Sequence, residues 1–160
     1  MAVLDGFDAR NIDRVEADRL LRGGAAQGAL YPAHCTASGK VLLAGLDPSA
    51  WRRYRANAHL SAFTSRTITS LDTLEPELRL IRLRGYALDD GEYEDGLMCI
   101  AAPVYSADSV VAVIGISSLA SRIADRIEGL AALVKAIAEQ ASMGSPIPRS
   151  AGADHSKGQA

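Results

Sequence analysis

The alternation of apolar and polar positions divides the chain into short strands, amphipathic helices and two long apolar runs. Ala2-Val3-Leu4 is apolar, Asp5-Gly6 carries a turn signal, and Ile12-Asp13-Arg14-Val15 alternates with period two. Residues 2–16 therefore predict a small hairpin. Its first strand begins at the initiating methionine, where a domain edge usually carries dispensable residues, so a further element is expected upstream. Arg19 to Leu21 is a candidate for another strand, and Gly23-Gly24 with Gly28 marks a loop.

Helical periodicity begins in His34-Cys35-Thr36-Ala37-Ser38-Gly39-Lys40-Val41-Leu42-Leu43-Ala44. Thr36 or Ser38 can cap this helix, and its first turn would present unpaired backbone N–H groups suited to an anion. Asp47-Pro48 opens a second helix from Ser49 to about Asn57, with Asp47 as cap and Pro48 at the first position. Arg52, Arg53 and Arg55 on it read as a solvated face. Thr64 to Thr69 is rich in β-branched residues and predicts an extended segment. Leu74, Leu78 and Ile81 then fall on one helical face. Pro76 inside that helix costs ~3 kcal/mol, so a start at Asp72 or Thr73 is preferred to one at Ser70, and Gly85 supplies the stop.

Tyr86 to Val104 reads as a short strand, an acidic loop between Gly91 and Gly96, and a longer strand. Residues 97–105 and 110–118 form an antiparallel hairpin joined by about four polar or small residues. Their near-continuous apolar character predicts that both faces are mostly covered. Gly115 inside the second strand marks a bulge or a close approach. Ser121 caps a helical run to about Ser142, with a possible break at Gly129. Residues 144–160 lack periodicity and read as a disordered tail. Strands, helices, a strand pair and a closing helix make an α+β domain with an antiparallel sheet.

Composition narrows the classes without choosing one. At 160 residues, one domain with a sizeable core is expected. A net charge of −2 leaves no basic footprint for nucleic acid. No apolar run approaches the ~18 residues of a membrane span, and the start has no secretory signal. Cys35 and Cys99 read as reduced thiols, which points to the cytoplasm.

Candidate chemistry is sparse. Cys99 with His34 is a conceivable nucleophile and base, but no third orienting group is identifiable, and a buried thiol beside an apolar strand explains Cys99 more simply. Asp90, Glu92, Glu94 and Asp95 read as a solvated acidic loop, with Asp89 left open as a ligand contact. Lys40 is assigned to the surface. His59 and His155 have no partners at zinc-ligand spacing. No catalytic residue, metal or cofactor is assigned.

Three blocks carry a family resemblance. They are His34 to Ala44, Thr67-Ile68-Thr69 followed by Leu78 to Asp90, and Gly96 to Val104 with the strand after it. They resemble H-A-T-A-x-G-K-A-L-L-A, T-I-T…R-G-Y-A-x-D-D-x-E and G-x-x-C-I-A-A-P-V of the C-terminal effector-binding domain of the IclR family of bacterial transcription regulators. The resemblance runs in one register from about Ala2 to Gln140.

It implies a GAF-like fold, in which a curved antiparallel sheet flanked by helices holds a pocket for small organic acids. By that resemblance a ligand carboxylate meets the backbone N–H groups around Ala37 and Ser38. Asp89 and Cys99 line the pocket, Leu97 forms an apolar wall, and Ser117 offers a hydroxyl. Gly115 stands where the family often has serine, which removes a donor and enlarges the pocket; Ser118 stands where the family has glycine.

The family's winged helix-turn-helix, linker helix and first domain helix have no counterpart, so residues 1–143 are expected to be an effector domain truncated at its N-terminal edge. Such a chain would form a homo-oligomer, dimer or tetramer, and bind no operator or membrane alone. The alternatives are a small enzyme acting on organic acids through Cys99, and a ligand-independent dimerisation partner of a full-length regulator.

Overall fold

The computed structural model describes residues 1–15 and 26–144. The strand expected at 19–21, the glycines at 23–24 and the tail beyond Gly144 lie outside the described residues. Among the described residues six antiparallel strands, numbered in chain order, form one sheet in the order β3-β2-β1-β6-β5-β4.

The first hairpin pairs β1 (Ala2–Asp5) with β2 (Asp8–Asn11) around Gly6-Phe7, with Gly6 at φ 63°. The second strand thus precedes the alternating residues 12–15 expected to form it. A two-residue turn starts pairing at Asp8, and the register is used up when Asn11 faces Ala2. β3 (Leu30–Pro32) pairs with β2 at the sheet edge, where a proline costs no ladder bond. A 3-10 turn, Ala33–Cys35, leads into α1 (Ala37–Ala44), and Thr36 caps it by accepting from the Gly39 amide at 3.2 Å.

Helix α2 (Pro48–Asn57) begins as expected: Asp47 Oδ1 accepts from the Ser49 and Ala50 amides at 2.7 and 2.9 Å. Residues 64–69, expected to be extended, instead contain a turn tied by the Thr64 and Thr67 hydroxyls. Helix α3 (Leu71–Arg84) starts earlier than the proline argument preferred, with Ser70 Oγ accepting from the Thr73 amide and Pro76 inside. The early start seats Leu71 against the core and Leu74 within it, and burying a leucine side chain is worth about 1.5–3 kcal/mol. Together with the cap, that offsets the proline. Gly85, at φ 78°, ends the helix by donating to the Ile81 carbonyl.

Strand β4 (Ala87–Asp90) pairs with β5 (Leu97–Ser106), which pairs with β6 (Ser109–Leu119). The β5–β6 link is only Ala107-Asp108, two residues rather than four. The ladder slips at Val104/Tyr105 and not at Gly115. Gly115 instead permits a close approach: a Cβ there would lie 2.8 Å from the Ile100 carbonyl oxygen and 3.1 Å from the Ala101 Cβ.

The closing helix breaks earlier than Gly129. α4 (Ala120–Ile123) starts after Leu119 without a Ser121 cap, a 3-10 turn Ala124–Arg126 follows, and α5 (Ile127–Met143) is continuous. Ile123, 8% exposed, pins the chain as it leaves β6, whereas Gly129 faces open space and imposes nothing.

The sheet separates two apolar clusters. Ala87, Ala101 and Val113 pack on α1 and α3, while Ala102, Val104 and Ala112 pack on Val134 and Ala138 of α5. Tyr31 in β3 and the loop residue Tyr93 after β4 come from opposite ends of the sheet, yet their rings are 5.6 Å apart. The sheet therefore curls strongly, giving the expected curved GAF-like α+β form. Coverage is less complete than the apolar runs implied, since Gly115, Ser117 and Leu119 of β6 stay exposed. Among the described residues no helix is long and apolar enough to cross a membrane.

Candidate functional site

The register builds a polar row across an apolar sheet. Asp89 faces Cys99 and Cys99 faces Ser117, with Ala101↔Gly115 and Leu97↔Leu119 in the adjoining rows of the same face. Alternation along a strand puts Leu97, Cys99 and Ala101 on one side, and that side packs toward α1. Cys99 Sγ donates to Ser117 Oγ at 3.1 Å.

Opposite this row stands the first turn of α1. Ala37 is 1% exposed and belongs to the cluster that also contains Ala87 and Ala101, with Cys99 packed against it. Thr36 occupies the Gly39 amide and the Lys40 amide bonds the Thr36 carbonyl. The Ala37 and Ser38 amides remain as first-turn donors without intrahelical acceptors. The helix stands this close to the preceding turn because residue 39 is glycine: a Cβ there would lie 2.3 Å from the Ala33 Cα and 2.4 Å from its carbonyl oxygen. Ala37, Asp89, Leu97, Cys99, Gly115 and Ser117 are thus gathered on the concave side, while Ser38, next along α1, is half-buried. Gly115 lies on this face beside Ala101, where β5 crowds the position a Cβ would take.

Asp89 is 2% exposed, and its Oδ1 accepts from the Glu92 amide at 2.8 Å. That bond folds the chain out of β4. Burial raises the Asp89 carboxyl above the ordinary carboxylate range, against the pull of the Glu92 amide and Lys40. Burial also pushes the thiols of Cys99 and Cys35 up to about 12. His34 bonds the Ser61 carbonyl through Nε2 at 2.9 Å, and burial holds its pKa below the ordinary value. The Cys99–His34 pair weighed from the sequence is therefore not formed, and neither thiol is activated.

Lys40 corrects the surface assignment. It is 1% exposed, and its ammonium bonds Glu92 Oε1 and lies 3.6 Å from Glu77 Oε1. Lys40 shares the buried face of α1 with Ala37, Val41 and Ala44. Glu92 is likewise no solvated loop residue, while Glu94 and Asp95 are exposed. Sequence reasoning also missed the aromatic contacts Tyr31–Tyr93 and Tyr93–Phe63 beside the α1 entry, which join parts of the chain far apart in sequence.

A cleft of about 460 Å³ runs along the free edge of β4, flanked by Lys40, Arg66 and Arg84 with Glu77, Asp90 and Glu92. Its charges are already matched in ion pairs. Arg66 and Arg84 cap the outward carbonyls of Asp90 and Tyr86, which blunts the edge against strand addition. It offers no spare positive charge for an acid, so the concave face is the better candidate. Among the described residues no cluster of His, Cys, Asp and Glu could hold a metal ion.

Residues 1–143 match the family model described as "Bacterial transcriptional regulator IclR C-terminal". The chain is similar to the Pca regulon regulatory protein of Pseudomonas putida, 36% identical over 125 residues, covering 77% of this chain and 43% of that protein. The Thermotoga maritima IclR crystal structure superposes with a TM-score of 0.83 at 33% identity, covering 89% of this chain and 58% of that one. The inducer-binding domain of PobR from Acinetobacter, in a double-mutant complex with 3-hydroxybenzoic acid, superposes with a TM-score of 0.75 at 27% identity, covering 88% and 85%. The chain spans about half the length of the curated relatives it matches.

Proposed function

The chain belongs to the family of IclR C-terminal domains, the effector-binding domains of bacterial transcription regulators, and from that premise we propose that it binds a small organic acid on the concave face of its sheet. One observation carries the reading: the polar row Asp89–Cys99–Ser117 lies in an otherwise apolar face that packs on α1, whose first turn has Ala37 in the same buried cluster and leaves the Ala37 and Ser38 amides as open donors. A carboxylate accepts from the two amides and is favoured by the helix dipole. Ser117 Oγ and the Cys99 thiol orient the remainder, with Leu97 as wall. The family consists of regulators, so the role is sensing and not turnover.

Self-association completes the reading. Leu133 and Ile137 project from the outer face of α5 at 54% and 43% exposure, an apolar stripe suited to a second subunit. In a full-length cytoplasmic regulator, the acid favours one oligomeric arrangement and so changes operator affinity by population shift. Thermal-shift measurements with acetate, succinate, benzoate and 3-hydroxybenzoate test the binding step. An acid at a hundred times its Kd adds about 2.7 kcal/mol, or roughly 5–10 °C for a chain of this size. No rise with any of the four overturns the reading.

A further inference from the structure

We propose that Lys40 and Glu92 are positioning residues for the acid site, an inference that rests on the acid-binding reading above. Lys40 lies one turn along α1 from Ala37 and is 1% exposed. Its ammonium reaches Glu92 in the turn after β4, and Glu77 on α3. Glu92 is held on its other sides as well. Its amide donates to Asp89 Oδ1 at 2.8 Å, and its carbonyl accepts from the Thr67 hydroxyl at 2.6 Å. The Thr64 hydroxyl donates to the adjoining Gly91 carbonyl at 2.6 Å. One buried cation thereby joins the helix that carries the anion-binding amides to the turn that Asp89 holds.

Stability alone does not explain a lysine at this position. A buried ion pair repays its desolvation poorly, and well-packed apolar side chains of similar volume often serve as well or better. Here the arrangement also leaves Glu92 Oε2 buried without a partner, a cost that native structures seldom carry without cause. What the pair supplies is geometry. Its direction fixes where α1 sits over the sheet, and hence the span from the Ala37 and Ser38 amides to the Asp89–Cys99–Ser117 row. An apolar contact between the same elements could slide, whereas a hydrogen-bonded pair cannot without breaking.

The test is binding of benzoate and 3-hydroxybenzoate, followed by ¹⁵N amide shifts and calorimetry. The proteins are wild type, Glu92→Gln, Lys40→Met/Glu92→Gln and, as a packing control in α3, Ile81→Val. Glu92→Gln should weaken the acid that wild type binds by about tenfold, while Ile81→Val stays within about twofold. Removing Lys40 as well should cost little more, because the two act as one unit. Exchange at the amides of residues 39 and 40, which bond the Thr36 hydroxyl and carbonyl, should quicken in both charge variants and not in the control, with or without acid. Affinities and exchange unchanged in both charge variants would overturn the proposal. If wild type binds neither of these acids, nor acetate or succinate, the acid-binding reading is what fails. Exchange at the amides of residues 39 and 40 then still decides whether the pair positions α1, unchanged rates overturning it.

Discussion

Replacing Gly39 by alanine sets two physical effects against each other with opposite signs. Helix propensity alone favours alanine by about 1 kcal/mol. Packing opposes it. The new Cβ would lie 2.3 Å from the Ala33 Cα, 2.4 Å from its oxygen and 2.7 Å from its carbonyl carbon. Comfortable carbon contacts are about 3.5–4.0 Å, so α1 must withdraw from the preceding turn by more than about 1 Å. All three obstructing atoms are backbone, and no side-chain rotation relieves them. Overpacking of this kind costs about 1–3 kcal/mol, occasionally more, and the backbone clash belongs at the upper end. The net loss should be about 2 kcal/mol, which lowers Tm by roughly 4–8 °C in a chain of this size. A calorimetric melt of wild type and Gly39→Ala measures it. The displacement also carries Ala37 and Ser38 away from the sheet, so acid affinity should fall in parallel. A Tm equal to or above wild type would refute the close-approach argument and leave propensity the stronger effect.

Other predictions address the thiols, the buried acids and the helix proline. With its pKa pushed up to about 12, Cys99 should carry about a thousandfold less thiolate near neutral pH than an ordinary thiol. Iodoacetamide should label the unfolded chain far faster than the native one, and equal rates would contradict this. Burial raises Glu92 and Asp89 above their ordinary values of 4.5 and 3.8. Their stabilising contribution is therefore full below those values and lost as pH rises through the raised ones. Urea melts between about pH 4 and 7 should show a flatter decline for Glu92→Gln than for wild type, and parallel curves would refute it. His34 acts with the opposite sign, its contribution being lost as pH falls below 6.5, and it is common to both proteins. Pro76→Ala should raise Tm, since the helix regains up to ~3 kcal/mol against about 0.4–1 kcal/mol of added unfolded-chain entropy; a fall would show that Pro76 is not strained.

What was legible in the sequence is what depends on near neighbours. The Asp47 cap with Pro48 at the first helical position fixed the start of α2 from two consecutive residues. The apolar runs of β5 and β6 located the main hairpin, and the α+β order followed. Long-range effects were not legible. The cost of Pro76 is local, whereas the core seat that Leu71 and Leu74 gain when α3 starts at Ser70 depends on elements distant in sequence. Residues 12–15 alternate like a strand, but pairing had already begun at Asp8 because the turn is only two residues. Lys40 looked like a surface cation because its partners, Glu92 and Glu77, lie 52 and 37 positions away. At the candidate site, the resemblance supplied the residues and β-sheet register supplies the row. The tie between Asp89 and the Glu92 amide, and the contact between Gly39 and Ala33, required coordinates.

The central claim is that a carboxylate docks on the first turn of α1 against the sheet. A ¹⁵N-resolved titration of the wild-type chain with benzoate and 3-hydroxybenzoate tests it most directly. Saturable shifts should be largest at the Ala37 and Ser38 amides, accompanied by those of Cys99 and Ser117, and a Ser117→Ala variant should weaken them. Saturable binding that leaves the Ala37 and Ser38 amides unmoved would contradict the account.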